Sequence, residues 1–166
     1  MDKKFLLRVN DSMKRIKTNL LLNDNIRQLL YYDEINSSTD IPLIEQVAGN
    51  IFIQPVIDVE VKEPFNKKNY ITITFPEGDK ENNRMDYVVR IIVMCDKSGW
   101  NLNGNARPLL IAQEVVNTLD NFETGFSNKF VFDSIVETIT SKDIIGYSLL
   151  FNVSDGISDI DEEYFL

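Results

Sequence analysis

The sequence predicts an α+β fold, in which two N-terminal helices and one long helix pack on a mostly antiparallel sheet of about five strands. Three observations lead to this prediction. Apolar residues recur at helical spacing near the N-terminus and again in the second half of the chain, and between these regions their spacing changes to two. The resulting order is helix, helix, three strands, helix and two strands. Helices segregated in this way favour an α+β layer over a doubly wound α/β sheet.

The N-terminal part of the chain holds the first helices. An amphipathic helix is predicted over 3–22, where apolar residues lie three or four positions apart. These residues are Phe5, Val9, Met13, Ile16 and Leu20. Asp24 can cap a second, short helix that ends near Tyr32. One or two further helical turns are expected between Pro42 and Gly49.

Three strands follow, predicted over 57–61, 70–75 and 86–95 because β-branched residues alternate or cluster there. The apolar run of the third strand carries a single charge, Arg90, so this strand is expected at the centre of the sheet. The polar run 76–84 has no apolar anchor and predicts a mobile hairpin loop between the last two strands.

The clearest helix is predicted over 107–119. Pro108 suits its first turn, where the missing N–H costs nothing. The predicted buried stripe consists of Leu109, Ala112, Val115, Val116 and Leu119. Two closing strands are predicted over 129–137 and 145–153, where apolar and aromatic residues alternate with polar ones.

The 166 residues are expected to form one domain over 1–153, followed by an acidic tail over 154–166, because no repeat or linker divides the chain. The formal charge of −9 is unevenly spread. Seven basic residues face three acidic ones in the first thirty positions, whereas the last thirteen contain five acidic residues and no basic one. Tight nucleic-acid binding depends on Lys and Arg that neutralise phosphates, so the acidic balance argues against it.

The chain is expected to be soluble and unexported. No stretch approaches the roughly 20 apolar residues of a membrane helix. Arg8 and Asp11 interrupt the N-terminal apolar stretch before it reaches the length of a signal peptide. Cys95 is the only cysteine, which rules out an intrachain disulfide.

The composition argues against an enzyme. The chain contains no histidine, which removes the commonest general base and the commonest metal ligand. Cys95 ends an apolar strand, where a thiol is usually a small core residue. Gly99 and Gly104 match neither phosphate-loop nor dinucleotide-binding spacing. We therefore predict no catalytic, cofactor-binding or metal-binding residues and no cofactor.

Five residues are candidates for an interface with another protein. Trp100, the only tryptophan, follows a glycine in a predicted loop, where aromatic residues often anchor contacts. It could equally plug the base of the sheet. Arg107 begins the predicted long helix and is grouped with Trp100. Tyr164, Phe165 and Leu166 form an apolar tip on the acidic tail, which could dock on another subunit, pack on its own domain or stay disordered.

Short apolar and turn segments occur along the chain in an order that suggests a family. They are the opening helix, Leu29-Leu30-Tyr31-Tyr32-Asp33, a strand with Ile51 and Pro55, the strand Val88–Val93, Trp100-Asn101-Leu102, Arg107-Pro108-Leu109-Leu110-Ile111-Ala112 and Leu119-Asp120-Asn121. Together they resemble the neck proteins of tailed bacteriophages, specifically a tail-terminator (tail-completion) or head–tail joining protein. The resemblance spans roughly 5–153 and involves diffuse positions without a diagnostic signature.

The resemblance implies a ring of identical subunits, usually a hexamer, in the neck of the virion. One face of the ring would cap the tail tube protein, and the other would dock the head connector or stopper protein. DNA would pass through the lumen without specific binding, which suits an acidic protein. The protein would be made in the cytoplasm of the bacterial host, and no membrane would be involved.

Other readings stay open. A head-side ring protein of the adaptor or stopper type would fit the same pattern. A non-viral cytosolic protein-interaction domain is a further alternative. A small-molecule-binding or regulatory domain would require a concave apolar pocket with converging polar groups, for which the sequence offers no candidate. An enzyme that uses only carboxylates would require two of them several ångströms apart in a groove.

Overall fold

The computed structural model describes residues 3–53, 69–81, 84–123, 129–139 and 143–156. The helices are α1 (Lys3–Leu22), α2 (Asp24–Tyr31), α3 (Ile44–Val47) and α4 (Arg107–Leu119). The strands are β1 (Ile51–Ile53), β2 (Asn69–Glu81), β3 (Arg84–Asp96), β4 (Asn101–Leu102), β5 (Asn105–Ala106), β6 (Phe130–Ile139) and β7 (Ile144–Gly156). This architecture confirms the predicted α+β class.

Five of the strands form one sheet in the order β1-β2-β3-β7-β6. β1 runs parallel to β2, and every other neighbouring pair is antiparallel, so the sheet is mixed with a mostly antiparallel character. β3 lies at the centre, as predicted from its apolar run. β4 and β5 form a separate two-stranded hairpin before α4.

The helices pack on one face of the sheet and bury one continuous core. This core includes Ile16 and Leu20 of α1, Ile26 and Leu29 of α2, and Ile111, Val115 and Leu119 of α4. On the sheet it includes Ile71, Ile73, Val89, Ile91, Val93, Phe130, Leu149, Phe151 and Val153. The alternation in β2, β3 and β7 therefore directs every second side chain into the core. Among the described helices, none has both the length and the apolar character needed to cross a membrane.

The helix ends differ from the predictions in two details. The cap of α2 is Asn23, whose side-chain oxygen accepts a hydrogen bond from the N–H of Ile26 at 3.0 Å. Asp24 is the first helical residue and forms an ion pair with Arg27 instead of capping. In α4 the predicted stripe is wrong at Leu109, which is exposed, whereas Ile111 takes a buried position.

The predicted loop at 76–84 is mostly strand. β2 continues to Glu81 and pairs with β3 down to Arg84. The register shifts between Thr74 and Glu77, so Pro76 lies in a bulge, where a residue without an N–H does not break the ladder. This extension was not predicted, because the end of β2 and the start of β3 are polar and lack the apolar alternation that signals a strand.

The remaining predictions are met in part. The helical turns expected between Pro42 and Gly49 correspond to α3 and a short 3₁₀ turn over Ala48–Asn50. The predicted strand 57–61 lies outside the described residues. β7 extends to Gly156, so the first three residues assigned to the acidic tail belong to a strand.

Candidate docking surfaces

The hairpin β4–β5 shapes the loop that contains Trp100. Asn103 and Gly104 both have positive φ, 52° and 84°, as a two-residue type I′ turn requires. The Asn103 side chain donates a hydrogen bond to the carbonyl of Ile35 at 2.9 Å, which holds the turn against the segment after α2. This hairpin was not predicted, although the Asn-Gly pair is a strong short-range signal for it.

Trp100 is half-buried beside this hairpin. Its carbonyl accepts a hydrogen bond from the backbone N–H of Arg107 at 2.7 Å, and its own N–H donates to the carbonyl of Lys97 at 3.5 Å. The backbone of Trp100 therefore positions the start of α4. A contact between its ring and another protein stays a prediction.

Arg107 lies in the interior of the protein, with a side chain that is 0% exposed. Its guanidinium group donates to the carbonyl of Leu29 at 3.0 Å and to the carbonyls of Tyr32 and Asp33. These carbonyls lie at the C-terminal end of α2, where the helix dipole favours a cation. The predicted interface role of Arg107 is therefore wrong: the arginine joins the start of α4 to the end of α2 within one subunit.

The surroundings of Arg107 perturb nearby titratable groups. Burial lowers the pKa of Arg107, and the neighbouring Cys95 and Asp33 oppose that shift. Burial raises the pKa of the Cys95 thiol to about 12, with Arg107 acting in the opposite direction. Burial likewise raises the pKa of Tyr70 to about 12. A thiol that stays protonated in the core is a poor nucleophile, because the thiolate is the reactive form.

We expect Cys95 of the folded protein to resist thiol reagents at pH 8 and to react promptly in denaturant. Stability should also fall as the pH rises from about 9 to 12, because the unfolded chain loses the protons of Cys95 and Tyr70 near ordinary pKa values while the folded protein keeps them. Thiol labelling with and without urea tests the first expectation, and urea unfolding across this pH range tests the second. Equal labelling rates in both states would contradict the buried environment.

A cleft of about 300 Å³ lies between α2, α4 and the β4–β5 hairpin. Its apolar lining consists of Leu29, Ile35, Leu102 and Leu110, and its polar lining includes Asn25, Gln28, Asn103, Asn105, Gln113 and Glu114. No pocket was predicted from the sequence, because these residues come together only when the two helices pack. In the described part of the chain, no group of three or more acidic or cysteine side chains is placed to hold a metal ion.

The edge strand β6 exposes apolar side chains. It pairs with β7 on one side and lies at the end of the sheet order. Its exposed residues include Val131, Ile135 and Val136, of which Val136 is 56% exposed. An edge strand presents backbone groups that can pair with another chain, and proteins usually protect such edges with charge or bulges. A bulge at Asp133 interrupts β6, but the three apolar side chains leave it only partly protected.

Two further surfaces lie among the N-terminal elements. The first, which we call the α1 stripe, consists of the exposed residues Leu7, Asp11, Lys14, Arg15, Thr18 and Leu22. Their spacing of three or four positions places them on one face of the helix, opposite the buried Val9, Ser12, Ile16 and Leu20. The stripe has a basic centre between two exposed leucines.

The second surface, which we call the acidic–apolar patch, follows the end of α2. It consists of Tyr31, Asp40, Ile41, Leu43, Ile44 and Glu45, all of which are exposed. A hydrogen bond of 3.4 Å between the Tyr31 hydroxyl and the Gln46 side chain brings the two ends of this segment together. The guanidinium of Arg27 donates to the Pro42 carbonyl at 2.8 Å and holds the intervening chain against α2.

Comparison with known protein families identifies the family of this chain. A family model named YomW matches residues 23–153, which is most of the sequence. The chain belongs to the YomW family. The family name suggests a protein derived from a Bacillus phage, which agrees with the phage part of the predicted resemblance. No curated protein matches the chain.

Some of the candidate surfaces lie within the YomW match and others lie outside it. It begins at Asn23, the cap of α2, and ends at Val153 in β7. The acidic–apolar patch, Trp100 and β6 therefore lie within the YomW region, and the α1 stripe precedes it. Tyr164, Phe165 and Leu166 lie beyond the match and outside the described residues, so their interface role stays a prediction.

Proposed function

We propose that this chain is a structural virion protein of a tailed bacteriophage that forms a ring at the neck. The ring would terminate the tail tube and join it to the head connector. The observation that carries the proposal is β6, an edge strand with exposed Val131, Ile135 and Val136 in a protein of a phage-associated family. An apolar edge of this kind promotes aggregation of a monomer, whereas in an assembly it can form a contact between subunits.

The shape of the sheet supports an assembly role. β2 and β3 each contain 13 residues, which corresponds to a length of roughly 40 Å. β7 runs beside β3 along this whole length, from Asp96 to Arg84. Strands of this length provide a long sheet on which a neighbouring subunit or an adjacent ring can pack.

The charge of the chain supports a ring that surrounds DNA. With a net charge of −9, the protein repels a duplex in its lumen, so the duplex can slide without adhering. The proposal therefore needs contacts between protein subunits and no binding site for DNA.

We expect the purified protein to form closed rings with a central hole in negative-stain electron microscopy, at a mass that is a multiple of the chain mass by light scattering. Val136→Glu should shift this assembly towards monomers, because it places a charge on the proposed contact. Leu109→Glu provides a matched control, since Leu109 is 43% exposed and belongs to α4 instead of the sheet edge. A wild-type protein that stays monomeric at high concentration would exclude the ring, and equal behaviour of the two variants would exclude β6 as a contact.

The neighbours of the ring distinguish the neck from related positions. Binding to purified tail tube protein supports a terminator. Binding to portal protein alone would instead support a head-side adaptor or stopper ring. Binding to neither phage component would favour a non-viral interaction domain and would contradict the proposal.

A further inference from the structure

We infer that the α1 stripe of one copy docks on the acidic–apolar patch of the next copy, and that this contact links the subunits of the assembly. The inference rests on the proposed function and specifies which two surfaces of the chain meet. It comes from two complementary features of one molecule: a basic helix face with apolar ends, and an apolar patch with an acidic rim.

The α1 stripe has the chemistry of a docking helix. Leu7 and Leu22 at its ends are 63% and 58% exposed. Burial of these two apolar side chains against a partner would be favourable, because it removes apolar surface from water. Lys14 and Arg15 form the centre of the stripe. Lys14 pairs with Asp11 at 3.7 Å, but both side chains are largely exposed, so this pair contributes little and can rearrange. Across 3–22 the sequence has six basic residues and one acidic residue.

The acidic–apolar patch has the opposite charge. Residues 31–45 include four acidic residues and no basic one. Of these, Asp40 and Glu45 flank the exposed apolar side chains of Ile41, Leu43 and Ile44. The Tyr31 ring borders the same cluster, and an aromatic residue beside an apolar patch is a common anchor of protein interfaces. A partner that fits must therefore present apolar side chains next to positive charge.

A second copy of the chain meets that requirement. The chain as a whole is strongly acidic, and its first thirty residues are the part with a clear excess of positive charge. One terminal leucine of the α1 stripe can cover the apolar cluster, while Lys14 and Arg15, about 10 Å along the helix, face the acidic rim. Partners with acidic surfaces would be repelled by the rim.

The arrangement of the two surfaces determines the type of assembly. The stripe and the patch are different surfaces, so each copy uses one surface to bind the copy ahead and the other to bind the copy behind. Contacts of this heterologous type close into a ring when the rotation between subunits permits. The inference therefore accounts for a ring, whereas a contact between identical patches would produce a two-fold dimer.

Charge reversal on each surface tests the contact. Lys14→Glu with Arg15→Glu reverses the stripe, and Asp40→Lys with Glu45→Lys reverses the patch. All four side chains are exposed, so the fold should be retained, which circular dichroism and thermal melting can verify. Each double variant should assemble about tenfold more weakly than the wild type, and the wild-type assembly should weaken with added salt. The control is Lys97→Glu, a charge reversal at an exposed position outside both surfaces and outside β6.

Mixing the two reversed variants gives the decisive readout. An equimolar mixture should recover the assembly by light scattering, because the acidic stripe of one variant faces the basic patch of the other. Assemblies that persist in both reversed variants, or a mixture that stays dissociated, would overturn this contact and leave the proposed ring intact. Recovery of a two-subunit species only would support the contact and contradict the ring. A monomeric wild type would overturn both.

Discussion

Replacing Arg107 with methionine is expected to lower the free energy of unfolding by about 4 kcal/mol, the largest effect of any substitution we predict. Methionine occupies a similar volume but donates no hydrogen bond, so the carbonyls of Leu29, Tyr32 and Asp33 lose the guanidinium that binds them. A buried carbonyl without a partner costs roughly 1–3 kcal/mol. Because domains of this size have a total stability of about 5–15 kcal/mol, the variant should lose a large fraction of its stability.

Urea unfolding followed by tryptophan fluorescence can measure this loss, since Trp100 is the only tryptophan and its carbonyl binds the backbone of Arg107. Arg107→Lys should be intermediate, because an ammonium group keeps the charge but cannot reproduce the planar fork of the guanidinium. Arg90→Met is the matched control, since Arg90 is a partly exposed arginine of β3 and its loss should cost less than about 1 kcal/mol. Equal losses at both positions would show that Arg107 does not join α2 to α4.

Gly146→Ala is expected to destabilise the protein by about 3 kcal/mol. A Cβ atom at this position would lie 1.7 Å from the carbonyl oxygen of Val93 and 2.9 Å from the Cα atom of Met94. Both atoms belong to the backbone of the central strand β3, so no side-chain rotation can relieve the overlap. β3 and β7 would have to separate at this point of the sheet.

Thermal and urea unfolding of the Gly146 variant should be compared with Gly104→Ala. Gly104 has a φ of 84° and no heavy atom within 4 Å of the added Cβ, so alanine there introduces only backbone strain. That strain costs about 1–2 kcal/mol. If the two alanine variants have the same stability, the close approach of β3 to β7 at Gly146 is not the reason for the glycine.

Local patterns were sufficient to predict most elements. The helical spacing of Ile16 and Leu20 and the alternation around Ile71 and Ile91 depend on which face of an element meets the core. That information is present in neighbouring residues, so α1, α4 and the apolar parts of β2 and β3 were correctly predicted. The prediction failed at the polar end of the β2–β3 hairpin, where the sequence does not alternate between apolar and polar residues.

The candidate site was less accessible to sequence reasoning. Arg107 looked like a surface cation at a helix start, because nothing nearby in the sequence reveals that three carbonyls from residues 29–33 surround it. The β4–β5 hairpin could have been predicted from Asn103-Gly104, whereas the cleft beside it could not, since its lining comes from two helices and a turn distant in sequence.

The sequence by itself determined the fold class, the central position of β3, the absence of histidine and the uneven charge along the chain. Tertiary structure alone decided that Arg107 is internal, that Leu109 is exposed, and that Tyr31 meets the segment 41–46 to form one patch. The physical reason is the separation along the sequence of the residues that determine each property. Periodicity and charge are local properties of the chain, whereas burial depends on residues that are distant in sequence and become neighbours only when the helices pack on the sheet.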